Sequence, residues 1–180
     1  MAPINSINNV ANSGTISSVA LQIAISQLGQ SEKPIGSNSG PMVNEYLKAV
    51  GLSPGYAWCQ AFVYWCYTEA AKKLNLPNPV VKTASVHDCW NKSITKLLRR
   101  DALNDPELIK PGDQFILFFG NNTGHTGIVE RAERNAESGM YLLHTIEGNS
   151  NNNGSREGYE VVRHQRELNH TALQGFIKYP

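Results

Sequence analysis

Apolar positions along this chain follow two periods, and the change falls near Pro111 and Gly112. Before it, Ile16, Val19, Ala20, Ile23, Ala24 and Leu28 recur at steps of three and four, the period of an amphipathic helix. Gly29 follows where a helix end favours a left-handed residue, so a helix is predicted over Ser17–Leu28. A polar, Gly-rich stretch, QSEKPIGSNSG (Gln30–Gly40), leads to a second apolar face of Met42, Val43, Tyr46, Leu47 and Val50. Pro41 suits its first position and Gly51 its end. After the turn Leu52–Tyr56, the segment Ala57–Leu74 is apolar nearly all round for three turns, which predicts a central, mostly buried helix. Ser85 and Asp88 form a capping pair ahead of Val86, Cys89, Trp90, Ile94, Leu97 and Leu98, predicting a fourth helix that ends at Arg99 and Arg100.

Beyond Gly112 the apolar runs shorten and alternate. Strands are predicted at Gln114–Phe119, His125–Arg131, Tyr141–Glu147, Tyr159–Gln165 and Gly175–Tyr179, separated by Asn, Gly and Ser clusters. Connections such as GNNTG (Gly120–Gly124) are too short for parallel crossovers, so the strands pair antiparallel as hairpins and a meander. Helices first and sheet second define an α+β fold. The Asn- and Ser-rich residues 1–15 read as a loose arm and residues 16–180 as one catalytic-sized domain. GNSNNNG (Gly148–Gly154) reads as a surface turn.

Composition narrows the function. With 41% hydrophobic residues in 180, the chain has a core to bury. Its 16 basic and 15 acidic residues sum to +1, no field for gripping nucleic acid or an anionic surface. No run approaches the roughly 18 apolar residues of a membrane span. The opening MAPINSINNVANSG has neither the basic nor the apolar part of a secretory leader. Synthesis in a cytoplasm is therefore expected, unless a leader was trimmed.

The three cysteines, Cys59, Cys66 and Cys89, form no CxxC pair and an odd set, which fits neither a disulfide framework nor a zinc finger. Cys59 stands at the predicted start of the buried helix, after a Pro-Gly-Tyr turn. The unpaired N–H groups there favour a thiolate, the nucleophilic form. Cys66, two turns on, and Cys89 read as inert core thiols. Among five histidines, His125 opens a strand just after GNNTG, where a sheet end can present a base. Alternation puts Gly127 beside it, leaving room for a backbone or a substrate. Glu147 and Asn149, two residues apart at the end of another strand, are placed to orient the imidazole. Taken one at a time these residues also suit blander roles: a buried thiol, a surface histidine, solvated turn formers.

The order of these pieces resembles the CHAP domains, cysteine- and histidine-dependent amidohydrolases and peptidases related to papain-like enzymes. The resemblance rests on GSNSGPMVNEYLKAVGL, GYAWCQAFVYWC around Cys59, KPGDQFILF, GHTGIVE around His125, TIEGNSN around Glu147 and Asn149, and the closing GFIKYP. It implies a papain-like α+β fold with N-terminal helices packed on an antiparallel sheet. It also implies Cys59 as nucleophile, His125 as general base and then acid, Glu147 as the imidazole-orienting group and Asn149 as an auxiliary polar group. The backbone N–H of Cys59, with Tyr56 as second donor, is the expected oxyanion hole.

The function expected from the resemblance is hydrolysis of a peptidoglycan amide through a thioester, by an endopeptidase or an N-acetylmuramoyl-L-alanine amidase. A phage-type lysin or an injected antibacterial effector paired with an immunity or inhibitor protein suits the chain, acting on the bacterial wall after secretion or lysis. Some phage relatives hold calcium in an Asp-rich loop before the nucleophile. QSEKPIGSNSG has one acid, Glu32, so neither metal nor other cofactor is expected. No wall-binding module is recognised. Two alternatives stand beside this reading: an inactive CHAP-like binding module, and a papain-like hydrolase or transferase acting on protein amides. A zinc hydrolase would need HExxH or CxxC, and neither appears.

Overall fold

The computed structural model describes residues 14–136, 138–151 and 158–180. Four helices precede the main sheet. In α1 (Ile16–Ser26), the Thr15 hydroxyl accepts from Ser18 N–H at the first turn, and Ile16, Val19, Ala20, Leu21 and Ala24 are buried. In α2 (Pro41–Ala49), proline occupies the first position and Val43, Tyr46 and Leu47 face inward. The long α3 (Cys59–Leu74) lies at the centre of the layer and stops where Asn75 turns left-handed. In α4 (Val86–Lys92), Ser85 caps the first turn through Asp88 N–H, as the capping pair predicts.

The fourth helix is shorter than the apolar spacing suggests. Ser93 is extended and its hydroxyl returns to the Cys89 carbonyl, after which β1 (Lys96–Leu98) runs as a strand. The reason is tertiary: β1 finds ladder partners on β6 (Leu173–Ile177), with Leu97 opposite Phe176, while Ile94 is left 98% exposed. Arg99 and Arg100 begin a further short helix, α5 (Arg99–Asn104).

The remaining strands are β2 (Gln114–Gly120), β3 (Thr123–Arg134), β4 (Tyr141–Ser150) and β5 (Glu160–Glu167). The six-stranded sheet has the order β1-β6-β2-β3-β4-β5, antiparallel throughout. The expected meander covers β2 to β5, and β6 returns to the far side of β2. The β2–β3 hairpin closes through Asn121 and Asn122, both at positive φ, the conformation that matches strand twist in a two-residue turn. The turn expected at 148–154 begins later than its Asn and Gly content suggests, because Gly148, Asn149 and Ser150 are still part of β4. Residues 152–154, like most of the 1–15 arm, lie outside the described residues.

Alternation divides the sheet between two apolar clusters. Ile116, Ile128, Ile146, Val161 and Ile177 pack under α1 to α4, while Phe115, Leu117, Val129, Leu143 and Phe176 pack on the other side with Ala102 and Ile109. This is an α+β arrangement of N-terminal helices on an antiparallel sheet, consistent with a papain-like fold. Among the described residues, no helix is long and apolar enough to cross a membrane.

Candidate active site

Cys59 is the first residue of α3, and both of its neighbours are tied down. The Trp58 indole is fully buried against Tyr46, with ring centroids 5.6 Å apart. Its Nε1 donates to Glu32 Oε1 at 2.9 Å, and its backbone N–H donates to Asn149 Oδ1 at 2.6 Å. Asn149 Nδ2 in turn donates to the Gly158 carbonyl at 2.6 Å. Asn149 therefore contacts the chain beside the thiol, and its left-handed backbone, φ 55°, turns the end of β4 toward α3. Gly148 permits that approach, since a Cβ there would stand 2.6 Å from the Trp58 ring.

His125 is buried, with Nε2 on Glu147 Oε2 at 2.8 Å. The donor is the imidazole N–H, because the carboxylate accepts, and this leaves Nδ1 for Cys59. Nδ1 has no partner in hydrogen-bonding geometry among the described residues, but the thiol is close enough to act on the ring. Burial alone would lower the imidazole pKa. The Cys59 and Glu147 side chains outweigh it and raise His125 to about 9. Gly127 is the space through which the pair meets. A Cβ there would lie 2.6 Å from the Ile146 carbonyl and 2.9 Å from Glu147 Cγ, so the room beside the imidazole is taken by β4.

Glu147 has no exposed surface, yet its carboxyl is held well below the usual carboxylate range. Burial would push it up, and Arg166 and His125 reverse that. Arg166 Nε reaches Oε1 at 2.7 Å and Nη2 reaches Oε2 at 2.6 Å, a bidentate pair. Thr145 Oγ1 adds a bond to Oε1 at 2.6 Å and Ser150 Oγ one to Oε2 at 3.3 Å. The result is a buried row of alternating polarity: thiol, imidazole, carboxylate, guanidinium.

A groove of about 350 Å³ is lined by Cys59 and Asn149 together with residues 84–87 and 122–124, while His125 and Glu147 are buried and are not part of its lining. Tyr56 is not part of that lining: it sits in the turn before α3, 54% exposed. The other two cysteines are buried, and burial raises both thiols, Cys66 the further.

The structure thus gathers Cys59, His125, Glu147 and Asn149, which are up to 90 positions apart in sequence. Arg166, Thr145, Ser150, Trp58 and Glu32 are the supporting residues that sequence reasoning missed. Arg166 carries no local signal: in the polar run RHQRE it reads as a solvated strand face until β5 is registered on β4, Leu143 opposite Arg166 and Thr145 opposite His164. Glu32 has one, as the lone acid of its Gly-rich loop.

A thiol at a helix N-terminus, facing an imidazole on a strand that a buried carboxylate orients, defines the papain-like class of cysteine-dependent amide hydrolases. The model of the CHAP domain matches residues 51–149, and the chain belongs to that family, whose members are generally cysteine- and histidine-dependent amidohydrolases or peptidases. The match begins just before α3 and ends on Asn149. Neither the curated proteins nor the solved structures include a significant match.

Proposed function

We propose that this protein is a cysteine-dependent peptidoglycan hydrolase that cleaves an amide bond of the wall peptide, with Cys59 as nucleophile, His125 as general base and acid, Glu147 as orienting carboxylate and Asn149 as auxiliary group. The observation that carries it is the Cys59–His125–Glu147 row, whose thiol end lines an open groove. The thiolate sulfur attacks the amide carbonyl carbon and the carbonyl electron pair moves onto oxygen, where the Cys59 N–H at the helix start stabilises it. As the tetrahedral intermediate collapses, the C–N bond breaks and His125 gives its proton to the leaving amine. A water, deprotonated by His125, then cleaves the thioester and regenerates the thiol. Glu147 keeps the ring in the tautomer with hydrogen on Nε2, so that Nδ1 exchanges the proton.

Digestion of purified sacculi of several wall chemotypes, with mass analysis of the released fragments, tests the reading. New amino and carboxyl ends should appear with wild type and vanish with Cys59→Ala, whose circular dichroism and melting point should match wild type. Equal release by the folded variant would refute the mechanism. Release that stops on chelation and survives alkylation would point to metal chemistry instead.

A further inference from the structure

The helix-facing side of the sheet carries a second buried polar cluster, distinct from the row that ends at Arg166. Gln114 on β2 has no exposed surface, and its Nε2 donates to Gln60 Oε1 at 2.7 Å and to Thr126 Oγ1 at 2.8 Å. Gln114 Oε1 accepts from the Tyr179 hydroxyl at 2.7 Å and from the Cys89 thiol at 3.7 Å. The Thr126 hydroxyl passes its own hydrogen to the Phe115 carbonyl at 2.6 Å, which leaves its lone pair for Gln114. Gln60 and Thr126 are likewise fully buried. The two acceptors on Nε2 are the chain neighbours of the two reacting residues: Gln60 follows Cys59, and Thr126 follows His125.

Burying a carboxamide is unfavourable unless each donor and acceptor is matched. The surroundings, Ile116 and Ile128 among them, belong to an apolar cluster that a hydrophobic side chain would fill at no such cost. What the amide adds is a defined length. Both hydrogens of one NH2 group reach their acceptors only when the first turn of α3 and the start of β3 stand at one separation. Alternation places Thr126 on the helix-facing side and His125 on the other, so fixing residue 126 fixes where the imidazole leaves the strand.

We propose that Gln114 is a positioning residue that sets the Cys59–His125 spacing by clamping the residue after each. The proposal rests on the reading of Cys59 and His125 as nucleophile and base. On the other flank of the thiol, the bond from Trp58 N–H to Asn149 ties the preceding residue to β4, so Cys59 is held from both sides. Gln114 lies outside the groove and touches no substrate. Its loss acts on the pairing of sulfur with imidazole, and so on kcat more than on KM.

The test follows alkylation of Cys59 by iodoacetamide from acid to alkaline pH, a readout that needs no substrate; Cys59 is 6% exposed and lines the groove, whereas Cys66 and Cys89 have no exposed surface. Gln114→Leu should alkylate about tenfold more slowly than wild type at neutral pH. Thr126→Val and Gln60→Met each remove half of the clamp and should shift the profile less, in the same direction. Tyr179→Phe breaks a bond on the far side of the same amide and should lower the melting temperature while leaving the profile in place. A folded Gln114→Leu with the wild-type profile would overturn the proposal, as would an equal shift in Tyr179→Phe, which would indicate general loosening. If Gln114→Leu does not fold, Thr126→Val and Gln60→Met decide by the same criterion. A wild-type thiol that reacts like free cysteine at every pH would reject the nucleophile–base reading itself, and the clamp with it.

Discussion

Arg166 grips Glu147 through two parallel bonds, at 2.7 and 2.6 Å, on a carboxylate with no exposed surface. Without that cation, desolvation would drive the carboxyl toward its neutral form, which cannot hold a charged imidazole. The guanidinium is therefore as much a part of the site's electrostatics as the histidine it never touches. It also lies over the Phe115 ring, 5.5 Å from the centroid, and so is braced by the apolar cluster below.

Arg166→Met should accordingly cost about 3–5 kcal/mol of stability, the range for breaking one side of a buried pair. Urea denaturation measures it. Arg166→Lys, which keeps the charge and loses the two-pronged geometry, should fall between the variant and wild type. A loss below about 1 kcal/mol would mark the pair as no better than a surface bridge.

The shifted groups set a pH window. His125 titrates higher when folded, near 9, than its ordinary 6.5, so its contribution to stability is complete below the ordinary value. That contribution is lost as pH rises through about 9, with a slope approaching 1.4 kcal/mol per pH unit. Glu147 titrates lower when folded, so its contribution is present above the ordinary carboxylate value and is lost as pH falls toward the folded one. Stability should be highest between the two limbs. Denaturation midpoints across pH check this, and His125→Asn should flatten the alkaline limb.

Gly127→Ala places a methyl group 2.6 Å from the Ile146 carbonyl and 2.9 Å from Glu147 Cγ, between two paired strands that cannot part freely. Overpacking of this kind costs about 1–3 kcal/mol. Displacement of Glu147 should also lower kcat on the order of a hundredfold. Loss of stability with unchanged kcat would show that Glu147 is not displaced.

Glu32→Leu leaves the buried Trp58 Nε1 without its acceptor, at a cost of about 1–3 kcal/mol. Glu32→Gln retains an acceptor oxygen and should recover most of it. Melting temperature and the emission of Trp58 report the difference. Equal losses in both variants would mean that the charge matters, not the bond.

How much of this was legible in sequence depends on the range of each interaction. The four predicted helices and the five main strands follow from apolar period, caps and glycines, signals that act within a few residues. The Ser85 cap, the Asn121–Asn122 turn and the buried character of Cys66 and Cys89 are of this kind. The fourth helix shows the limit: its apolar spacing continued to Leu98, but unpaired backbone on β6 offered Lys96–Leu98 a ladder that local propensity does not register.

The site divides along the same line. Cys59 at a helix start, His125 at a strand start and the Glu147–Asn149 pair could be singled out because each carries a chemical type at a telling local position. Tyr56, the expected second oxyanion donor, lies in the exposed turn before α3 and does not line the groove. Arg166 and Gln114 had no such local mark, since their meaning is the partner each meets across the sheet or the helix layer. The sequence alone determined which groups stand out chemically and which elements carry them, because those are short-range properties of the chain. The tertiary structure alone decided their spacing, their burial and the charges that neutralise them, because desolvation and hydrogen-bond geometry exist only once distant segments are in contact.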